Sequence, residues 1–404
     1  MYFPSREETA ELSCTPSLVR AILPDPGFPG LVVKANSLVL KQILHTTQIK
    51  LSVFLISENR LAYAVKNTSG DPALDATVWS IAETGREVEA LRQIHTKCTV
   101  DLYLFNELVV NVAQAKLSIT RIWGEPPMVF DRCTIGTVDQ FHLSEEIAEH
   151  LSAFDEGDRS SDLAVFDGAG SGDWSSPTIY LYGNQSASNP LSISSTDEGG
   201  QQEALCGWLL DNLLPTGAIS NPTVVRGDES RELTDVMLTY EYGVVLIESK
   251  GLNILDKPTL PAISRLRRST AKHVEKASRQ LVGAVKQLRL GSSVRDSARV
   301  PVEIERPDTP HAIILVPDLF LLAGNSDYDA GYFVRMTQEI NGFFHMLDPE
   351  ELFSIVRAAN RLVARRPEIT RMMAFDFYLM ERAKQSLTTS NPAFRVIFRD
   401  GDMV

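Results

Sequence analysis

The stretch RELTDVMLTYEYGVVLIESKGL, residues 231–252, decides the fold of the second half of the chain. Its two apolar runs flank a turn that ends at Gly243, a pattern that predicts a β-hairpin. If the turn is centred on residues 241–242, antiparallel pairing places Asp235 opposite Glu248. A change of register by one residue would separate these two side chains.

Successive side chains of a strand point to opposite faces, so Glu248 and Lys250 share one face and Ser249 points to the other. Asp235, Glu248 and Lys250 are therefore expected to converge at one end of a sheet. Two converging carboxylates need a counter-charge, which a divalent cation would supply. Oxygen ligands with open positions are typical of Mg²⁺ or Mn²⁺. A lysine beside the ion can orient a water or stabilise a pentavalent phosphate, so the pattern indicates metal-assisted phosphodiester hydrolysis.

This pattern has two alternatives. Chance predicts roughly 1.5 acid-x-Lys triplets in a chain of this composition, and the one at residues 248–250 would then be an ordinary ion pair at an exposed strand end. A different register would replace Asp235 by Asp228, Glu229 or Glu232. The context favours a site, because a buried strand rarely ends on Glu-Ser-Lys for packing reasons alone.

The arrangement of Asp235 and Glu248-Ser249-Lys250 resembles the PD-(D/E)xK nuclease superfamily, and in particular its NERD and Mrr-type branches, over about residues 200–320. The resemblance implies a restriction-endonuclease-like fold, a mixed sheet flanked by helices. It implies that Asp235, Glu248 and the Ser249 carbonyl hold the metal and that Lys250 is the catalytic lysine.

The chain departs from the family pattern at Thr234, where the motif has a proline. The resemblance also implies an upstream glutamate at the edge of the site, for which Glu203 is the candidate; a surface acid in a helix is the alternative. It further implies a glutamine in the helix after the core strands. Gln280 is the first choice, Gln287 is the second, and an exposed polar residue is the alternative for both.

The chain has a net charge of −13, so any contact with nucleic acid must come from a local basic patch. Residues 263–289 contain eight Lys and Arg against one acid, Glu275. A solvated helix face is the simpler explanation for such a segment. Beside a nuclease site, the same residues become candidate contacts for the phosphate backbone: Arg265, Arg267, Arg268, Lys272, Lys276 and Arg279.

The overall fold class is predicted to be α+β, in three zones. These are a β-rich α+β domain of unknown role (1–145), a Ser/Gly-rich connecting segment with short strands (146–199), and a PD-(D/E)xK-like domain with a C-terminal helical extension (200–404). Alternating patterns in the first two zones predict one helix (86–96) and strands at 51–57, 61–65, 76–82, 99–105, 108–119, 163–166 and 178–182.

The third zone alternates between helix and strand patterns. Helices are predicted at 201–214, 269–290, 348–362 and 369–385, and strands at 222–226, 233–239, 243–250, 311–322 and 394–398. Asp348, Pro349 and Glu351 mark the start of one helix, as N-cap, first residue and capping-box partner.

Composition excludes several classes of protein. The chain is 404 residues long, 44% apolar and 23% charged, and it has no apolar run of the ~18 residues that a membrane span needs. Four scattered cysteines without a CxxC pair predict reduced thiols in a cytoplasm rather than a zinc site, and the acidic, polar start of the chain does not resemble a secretory signal.

These expectations combine into a cytoplasmic, Mg²⁺- or Mn²⁺-dependent endodeoxyribonuclease. By analogy with the resembled branches, such an enzyme would serve bacterial restriction or anti-phage defence. DNA is the expected substrate and RNA the alternative, with a homodimer or a protein partner bound through the N-terminal domain. The alternative function is a catalytically inactive nuclease fold that binds nucleic acid or acts as a scaffold subunit.

Overall fold

The computed structural model of the chain divides into two compact units, and the division falls after residue 178. Unit 1 comprises residues 1–178 with short segments at 192–194 and 258–262, and unit 2 comprises the remainder. The structure describes residues 2–25, 28–45, 48–67, 75–123, 126–137, 140–155, 163–170, 174–183, 188–226, 229–241, 243–255, 257, 260–304, 309–388 and 394. Both units combine helices with sheets, so the predicted mixed α/β character is confirmed.

Unit 1 is built on an eight-stranded sheet with the order β1-β2-β6-β7-β8-β3-β4-β5. Its strands are β1 (Leu18–Asp25), β2 (Phe28–Lys34), β3 (Gln48–Ile56), β4 (Arg60–Asn67), β5 (Ala76–Ile81), β6 (Thr99–Phe105), β7 (Asn111–Trp123) and β8 (Leu163–Gly170). Its helices are α1 (Arg6–Cys14), α2 (Ser37–His45), α3 (Gly85–Lys97), α4 (Pro126–Arg132) and α5 (Gln140–Asp155).

The strands predicted in unit 1 are all present, but the prediction of a single helix was wrong. The helix α2 shows why, since its buried Leu38 and Leu40 are two residues apart and imitate the alternation of a strand. The helix α1 has little apolar character and depends on a capping box between Ser5 and Glu8.

Unit 2 has a central five-stranded sheet with the order β11-β14-β15-β18-β19, beside a four-stranded sheet (β13-β12-β16-β17) and a two-stranded ribbon (β9-β10). Its strands are β9 (Ile179–Tyr182), β10 (Ser188–Leu191), β11 (Ile219–Ser220), β12 (Thr223–Arg226), β13 (Glu229–Glu232), β14 (Val236–Tyr240), β15 (Gly243–Ser249), β16 (Val294–Arg295), β17 (Pro301–Val302), β18 (His311–Leu315) and β19 (Phe343–Leu347). Its helices are α6 (Glu198–Asp211), α7 (Ile263–Arg289), α8 (Ala330–Ile340), α9 (Pro349–Arg365) and α10 (Arg371–Ser386).

The central sheet is mixed, because β14 and β15 form an antiparallel hairpin and β15, β18 and β19 run parallel. Parallel neighbours need a crossover connection, which α7 provides between β15 and β18. The buried residues of α7 recur at three- and four-residue steps, as the sequence predicted, and pack on one face of the sheet. The helix α10 lies on the opposite face, where its Asp376 contacts His311.

Two local predictions in unit 2 need correction. The apolar run 311–322 is a strand only as far as Leu315. Pro317 cannot donate to a ladder, and the Asp318 side chain accepts a hydrogen bond from Phe320 N, which starts a 3₁₀ turn (Leu319–Leu322). The strand predicted at 394–398 lies, apart from its first residue, outside the described residues.

The second correction concerns the start of α9. Asp348 is the N-cap and accepts a hydrogen bond from Glu351 N at 2.9 Å, as predicted. The Glu351 carboxylate does not complete a capping box. It accepts two hydrogen bonds from Arg382 of α10, at 2.9 and 3.1 Å.

Candidate active site

The β14–β15 hairpin has the register that the sequence predicted. Tyr240 pairs with Gly243 and Val236 pairs with Ile247, so one further step places Asp235 opposite Glu248. Every residue of β15 is buried, and this holds the hairpin in register because a slip would bring its apolar side chains to the wrong face.

Three backbone-linked hydrogen bonds hold the segment around Asp235 in place. The Thr234 hydroxyl donates a hydrogen bond to the Ile247 carbonyl at 2.7 Å. A proline at this position has no hydroxyl and could not make this bond. Ser249 N donates to Asp235 Oδ2 at 2.6 Å, and Asn221 N donates to the Asp235 carbonyl at 2.8 Å. Asn221 adopts a left-handed conformation with φ +49°, a strained backbone of the kind found at functional sites.

Lys250 joins the two carboxylates. Its Nζ lies 3.0 Å from Asp235 Oδ2 and 2.8 Å from Glu248 Oε2. Glu248 is 1% exposed, and its Oε2 forms an ion pair with Lys250 but no hydrogen bond of good geometry. Lys250 N donates to the Leu315 carbonyl of β18 at 3.0 Å, which fixes the lysine backbone at the end of the sheet.

Electrostatics in this cluster are strongly perturbed. Burial and the neighbouring Asp235 raise the pKa of Glu248 to about 7, although Lys250 acts in the opposite direction. Burial lowers the pKa of Lys250, but Glu248 and Asp235 more than offset this, so the net shift is upward and the ammonium form is favoured.

Two further acids surround the cluster. Glu203 on α6 lines the same cavity as Asp235, and burial and Asp235 raise the pKa of Glu203 to about 7. Partial burial and Asp235 also raise the pKa of Glu232, at the end of β13. With Asp235 and Glu248 these residues make four carboxyl groups around one lysine, and the site has an excess of negative charge that would attract a cation.

The start of α6 is fixed against the loop that follows Lys250. Glu198 Oε1 accepts hydrogen bonds from the backbone N–H groups of Ile254 and Leu255, both at 2.8 Å. Gln202 Nε2 donates to the Leu315 carbonyl at 2.9 Å. Sequence reasoning missed Glu198 and Gln202, since nothing in a helix pattern shows that a polar residue faces inward.

The helix α7 places His273 close enough to the cluster for Lys250 to affect its pKa. Burial, Lys250 and Lys276 lower the pKa of His273, and its Nδ1 is buried without a hydrogen bond among the described residues. Gln280 is exposed two turns further along, and no described contact joins it to the carboxylates. Gln287 accepts a hydrogen bond from Ser292 at 3.1 Å. A glutamine beside the carboxylates therefore stays a prediction of the resemblance.

The six predicted phosphate contacts on α7 are all exposed: Arg265, Arg267, Arg268, Lys272, Lys276 and Arg279. Arg279 forms an ion pair with Glu275 at 3.1 Å, and Arg267 lies over the ring of Phe320. A cavity of about 880 Å³ separates part of this basic face from α8, and its opposite wall includes Asp327, Asp329 and Glu339. The basic face is therefore flanked by acids on one side.

A second cavity, of about 290 Å³, opens between α6 and β11 and reaches Asp235. Its walls are small side chains together with a few polar and aromatic groups: Gly183, Gly200, Glu203, Ala204, Gly207, Trp208, Asp211, Ala218, Ser220, Asn221, Asp235 and Val236. Trp208 and Asp211 were not predicted to lie near the site.

The donor set at Asp235 and Glu248 fits a hard cation such as Mg²⁺. No group of three or more His, Cys, Asp or Glu side chains that could hold a metal ion is found among the described residues. Mg²⁺ needs fewer protein ligands, because it retains several waters and binds through one or two carboxylates. Glu248 Oε2 is buried and lies 2.8 Å from Lys250 Nζ, so an ion bound there would share this oxygen with the lysine.

Comparison with protein-family models, with curated proteins and with solved structures found no match to this chain. Within the described part of the chain, no helix has the length and apolar character needed to span a membrane.

Proposed function

We propose that the chain is a divalent-metal-dependent nuclease that hydrolyses phosphodiester bonds, with DNA as its substrate. One observation carries the proposal, namely the meeting of Asp235, Glu248 and Lys250 at the end of β15 within 3.0 Å of the lysine nitrogen. The buried and charged character of this cluster is typical of a functional site and costly for a purely structural one.

Each residue has a role in this proposal. Asp235, Glu248 and the Ser249 carbonyl hold Mg²⁺ or Mn²⁺, and the ion supplies Lewis-acid catalysis when bound. Lys250 is a cationic donor that orients the attacking water and offsets charge on the phosphate. Glu203 borders the site from α6 and adds negative charge that favours the cation.

The wider assignment follows from the resemblance. Unit 2 would be the nuclease domain of a restriction-endonuclease-like architecture, and unit 1 would provide recognition, dimerisation or a partner surface. The exposed cations of α7 support nucleic acid as the substrate, because phosphate contacts require Lys and Arg. A cytoplasmic role in restriction or anti-phage defence is part of this proposal, by analogy alone.

A second function is favoured by one specific observation. Lys250 already forms ion pairs with both carboxylates and partly neutralises them without an added ion. The same geometry would suit a nuclease fold that binds nucleic acid or acts as a scaffold without cutting it.

One experiment separates the two functions. The purified full chain is incubated with plasmid, linear duplex, single-stranded DNA and RNA in the presence of Mg²⁺ or Mn²⁺. Lys250→Ala is expected to reduce the cleavage rate by a factor of about 10²–10³, as for the loss of one group that stabilises the transition state. Lys257→Ala, at an exposed lysine of the following loop, is the matched control and should cleave at the wild-type rate. Cleavage that survives Lys250→Ala, or no cleavage by the wild type, would contradict the nuclease assignment.

A further inference from the structure

The β9–β10 ribbon presents two tyrosines to solvent. Tyr180 is 56% exposed and Tyr182 is 71% exposed, whereas Leu181 between them is buried. Alternate residues of a strand share a face, so the two rings lie side by side. Large aromatic side chains grouped on a surface mark an interaction site more often than chance.

Side-chain contacts fix this ribbon to α6. Trp208 Nε1 donates to the Tyr182 carbonyl at 3.1 Å, and Gln201 Nε2 donates to the Pro190 carbonyl at 3.0 Å. Gly183 lies so close to Asp211 that a Cβ atom at this position would collide with the carboxylate. The tyrosines therefore project from a supported surface, and binding to them would cost little ordering entropy.

The ribbon adjoins the candidate active site where β9 ends, although Tyr180 and Tyr182 are not among the residues that line the cavity. Gly183, directly after Tyr182, lines the 290 Å³ cavity, and Asp235 lines the same cavity. The helix α6 connects the two, because it supports the ribbon through Trp208 and also carries Glu203 beside Asp235.

The spacing of the rings is informative about the ligand. Two residues of a strand advance by about 6.6 Å, which is roughly twice the 3.4 Å step between stacked bases of a duplex strand. Neighbouring bases in a duplex cannot both lie on such rings, but the bases of an extended single strand can. Aromatic rings are the usual platforms for unpaired bases.

The size and the polar groups of the cavity also suit a nucleobase. Its volume of about 290 Å³ corresponds to roughly ten waters, which is space enough for one nucleobase. The carboxylates of Glu203 and Asp211 would repel a phosphate, but they can accept hydrogen bonds from the N–H groups of a base.

We propose that the Tyr180–Tyr182 ribbon and the adjoining cavity bind unpaired nucleotides, so that the substrate is nucleic acid with a single-stranded segment next to the phosphate that is cut. The statement about cutting rests on the proposed function, whereas the binding of a single strand does not. A protein partner on the tyrosines is the competing occupant, and the test below distinguishes it.

The test measures equilibrium binding of the full chain in EDTA, so that cleavage plays no part. The probes are a labelled oligothymidylate and a labelled blunt duplex of the same length. We expect the single strand to bind more tightly, and the double variant Tyr180→Ala/Tyr182→Ala to bind it at least about tenfold more weakly, because two base–ring stacks are lost. Tyr180→Phe/Tyr182→Phe keeps both rings and should bind like the wild type.

Phe377→Ala is the matched control, because Phe377 of α10 is also an exposed aromatic residue, at 46%. Its neighbour Asp376 contacts His311 at the start of β18. The candidate site lies at the opposite end of the sheet, where the parallel strand β15 ends. The affinity of Phe377→Ala for the single strand should be unchanged. Equal affinity of wild type and Tyr→Ala protein, or no binding of the single strand, would overturn the inference.

Cleavage of a forked duplex with Mg²⁺ separates the two proposals. If cleavage depends on Lys250 but neither binding nor cleavage responds to the tyrosines, only the inference fails. If the tyrosines bind the single strand but nothing is cut, the proposed function fails and the binding site stands.

Discussion

The backbone amide of Ser249 donates a hydrogen bond to the side-chain oxygen Oδ2 of Asp235 across the hairpin, at 2.6 Å. The same oxygen lies 3.0 Å from Lys250 Nζ. A backbone donor cannot rotate away as a side chain can, so the position of Asp235 is set by the pairing of the strands. The candidate site is therefore a direct product of the β-hairpin register.

Divalent ions are expected to stabilise the folded chain through this site. A ligand that binds only the native state raises the midpoint of unfolding, by an amount that grows with its concentration over Kd. Mg²⁺ or Mn²⁺ should raise Tm of the wild type in a thermal melt and should have little effect on Asp235→Asn, which keeps an acceptor for Ser249 N but loses the charge. Asp327→Asn, at an exposed acid of unit 2, should respond like the wild type. Equal shifts for all three proteins would exclude Asp235 as a ligand.

Without divalent ions, stability should fall as the pH rises through the titration of Glu248. Its pKa of about 7 in the folded chain is above its value of ~4.3 in an unfolded chain, so the folded state retains a proton that the unfolded state releases. This contribution is complete below pH ~4.3 and is lost as the pH approaches 7. Urea unfolding in EDTA at pH 5 and pH 8 measures it. Glu248→Gln should show a smaller decrease than the wild type, and an unchanged decrease would contradict the burial of this charge.

The buried His345 should make stability change with pH in the opposite direction to Glu248. Burial, His311 and Arg382 hold the pKa of His345 well below its usual value, so the folded state disfavours the proton that the unfolded state takes up below pH ~6.5. Stability should consequently decrease as the pH falls from ~6.5 towards 5. Chemical unfolding of wild type and His345→Gln over this range provides the comparison, with a flatter profile expected for the variant. If the two profiles are parallel, His345 is not the group responsible.

The pair Arg382–Glu351 should dominate the stability of the α9–α10 contact. Arg382 is fully buried, donates twice to Glu351, and donates to the Met346 carbonyl at 2.6 Å. Arg382→Met leaves the Glu351 charge buried and should lower the free energy of unfolding by about 3–5 kcal/mol. The double variant Arg382→Met/Glu351→Leu should be less destabilised than the sum of its single variants, as a double-mutant cycle by urea unfolding would show. Additive losses would mean that the pair contributes no coupling.

Binding of duplex DNA should depend on the basic face of α7 and on salt. Removing three exposed cations, in Arg268→Ala/Lys272→Ala/Lys276→Ala, should weaken binding and reduce the slope of log K against log[salt] by up to about 0.9 for each phosphate that the variant no longer neutralises. Lys286→Ala, at the other end of α7, is the control for the loss of a positive charge outside the proposed contact surface. If the triple variant keeps the wild-type slope, these three residues do not contact the phosphates of the DNA.

Much of unit 2 follows from local sequence patterns. The register of Asp235 opposite Glu248 was predicted from alternation and from the position of the turn, and the structure confirms it. The cap at Asp348 and the buried stripe of α7 were predicted in the same way. These features depend on residues that are close in the chain, so the periodicity of a strand or helix is enough to indicate them.

The partners of these elements were not predictable in the same way. Glu351 was expected to cap its own helix, but it binds Arg382, which is 31 residues away in the chain. No sequence pattern singled out His273, whose pKa Lys250 lowers, and the ribbon of Tyr180 and Tyr182 had no recognised relation to the site. Each of these contacts depends on which faces of distant helices approach the sheet.

The sequence by itself determined the hairpin, its register and the shared face of Glu248 and Lys250, because hydrogen-bonded strands alternate with a period of two whatever surrounds them. The sequence also predicted that Lys250 meets both carboxylates. Only the tertiary structure decided their distances and their burial, the position of α6 that places Glu203 in the wall of a cavity, and the opening of that cavity next to Asp235. The physical reason is that burial and long-range packing, which set distances and pKa values, arise only when segments far apart in the chain exclude water together.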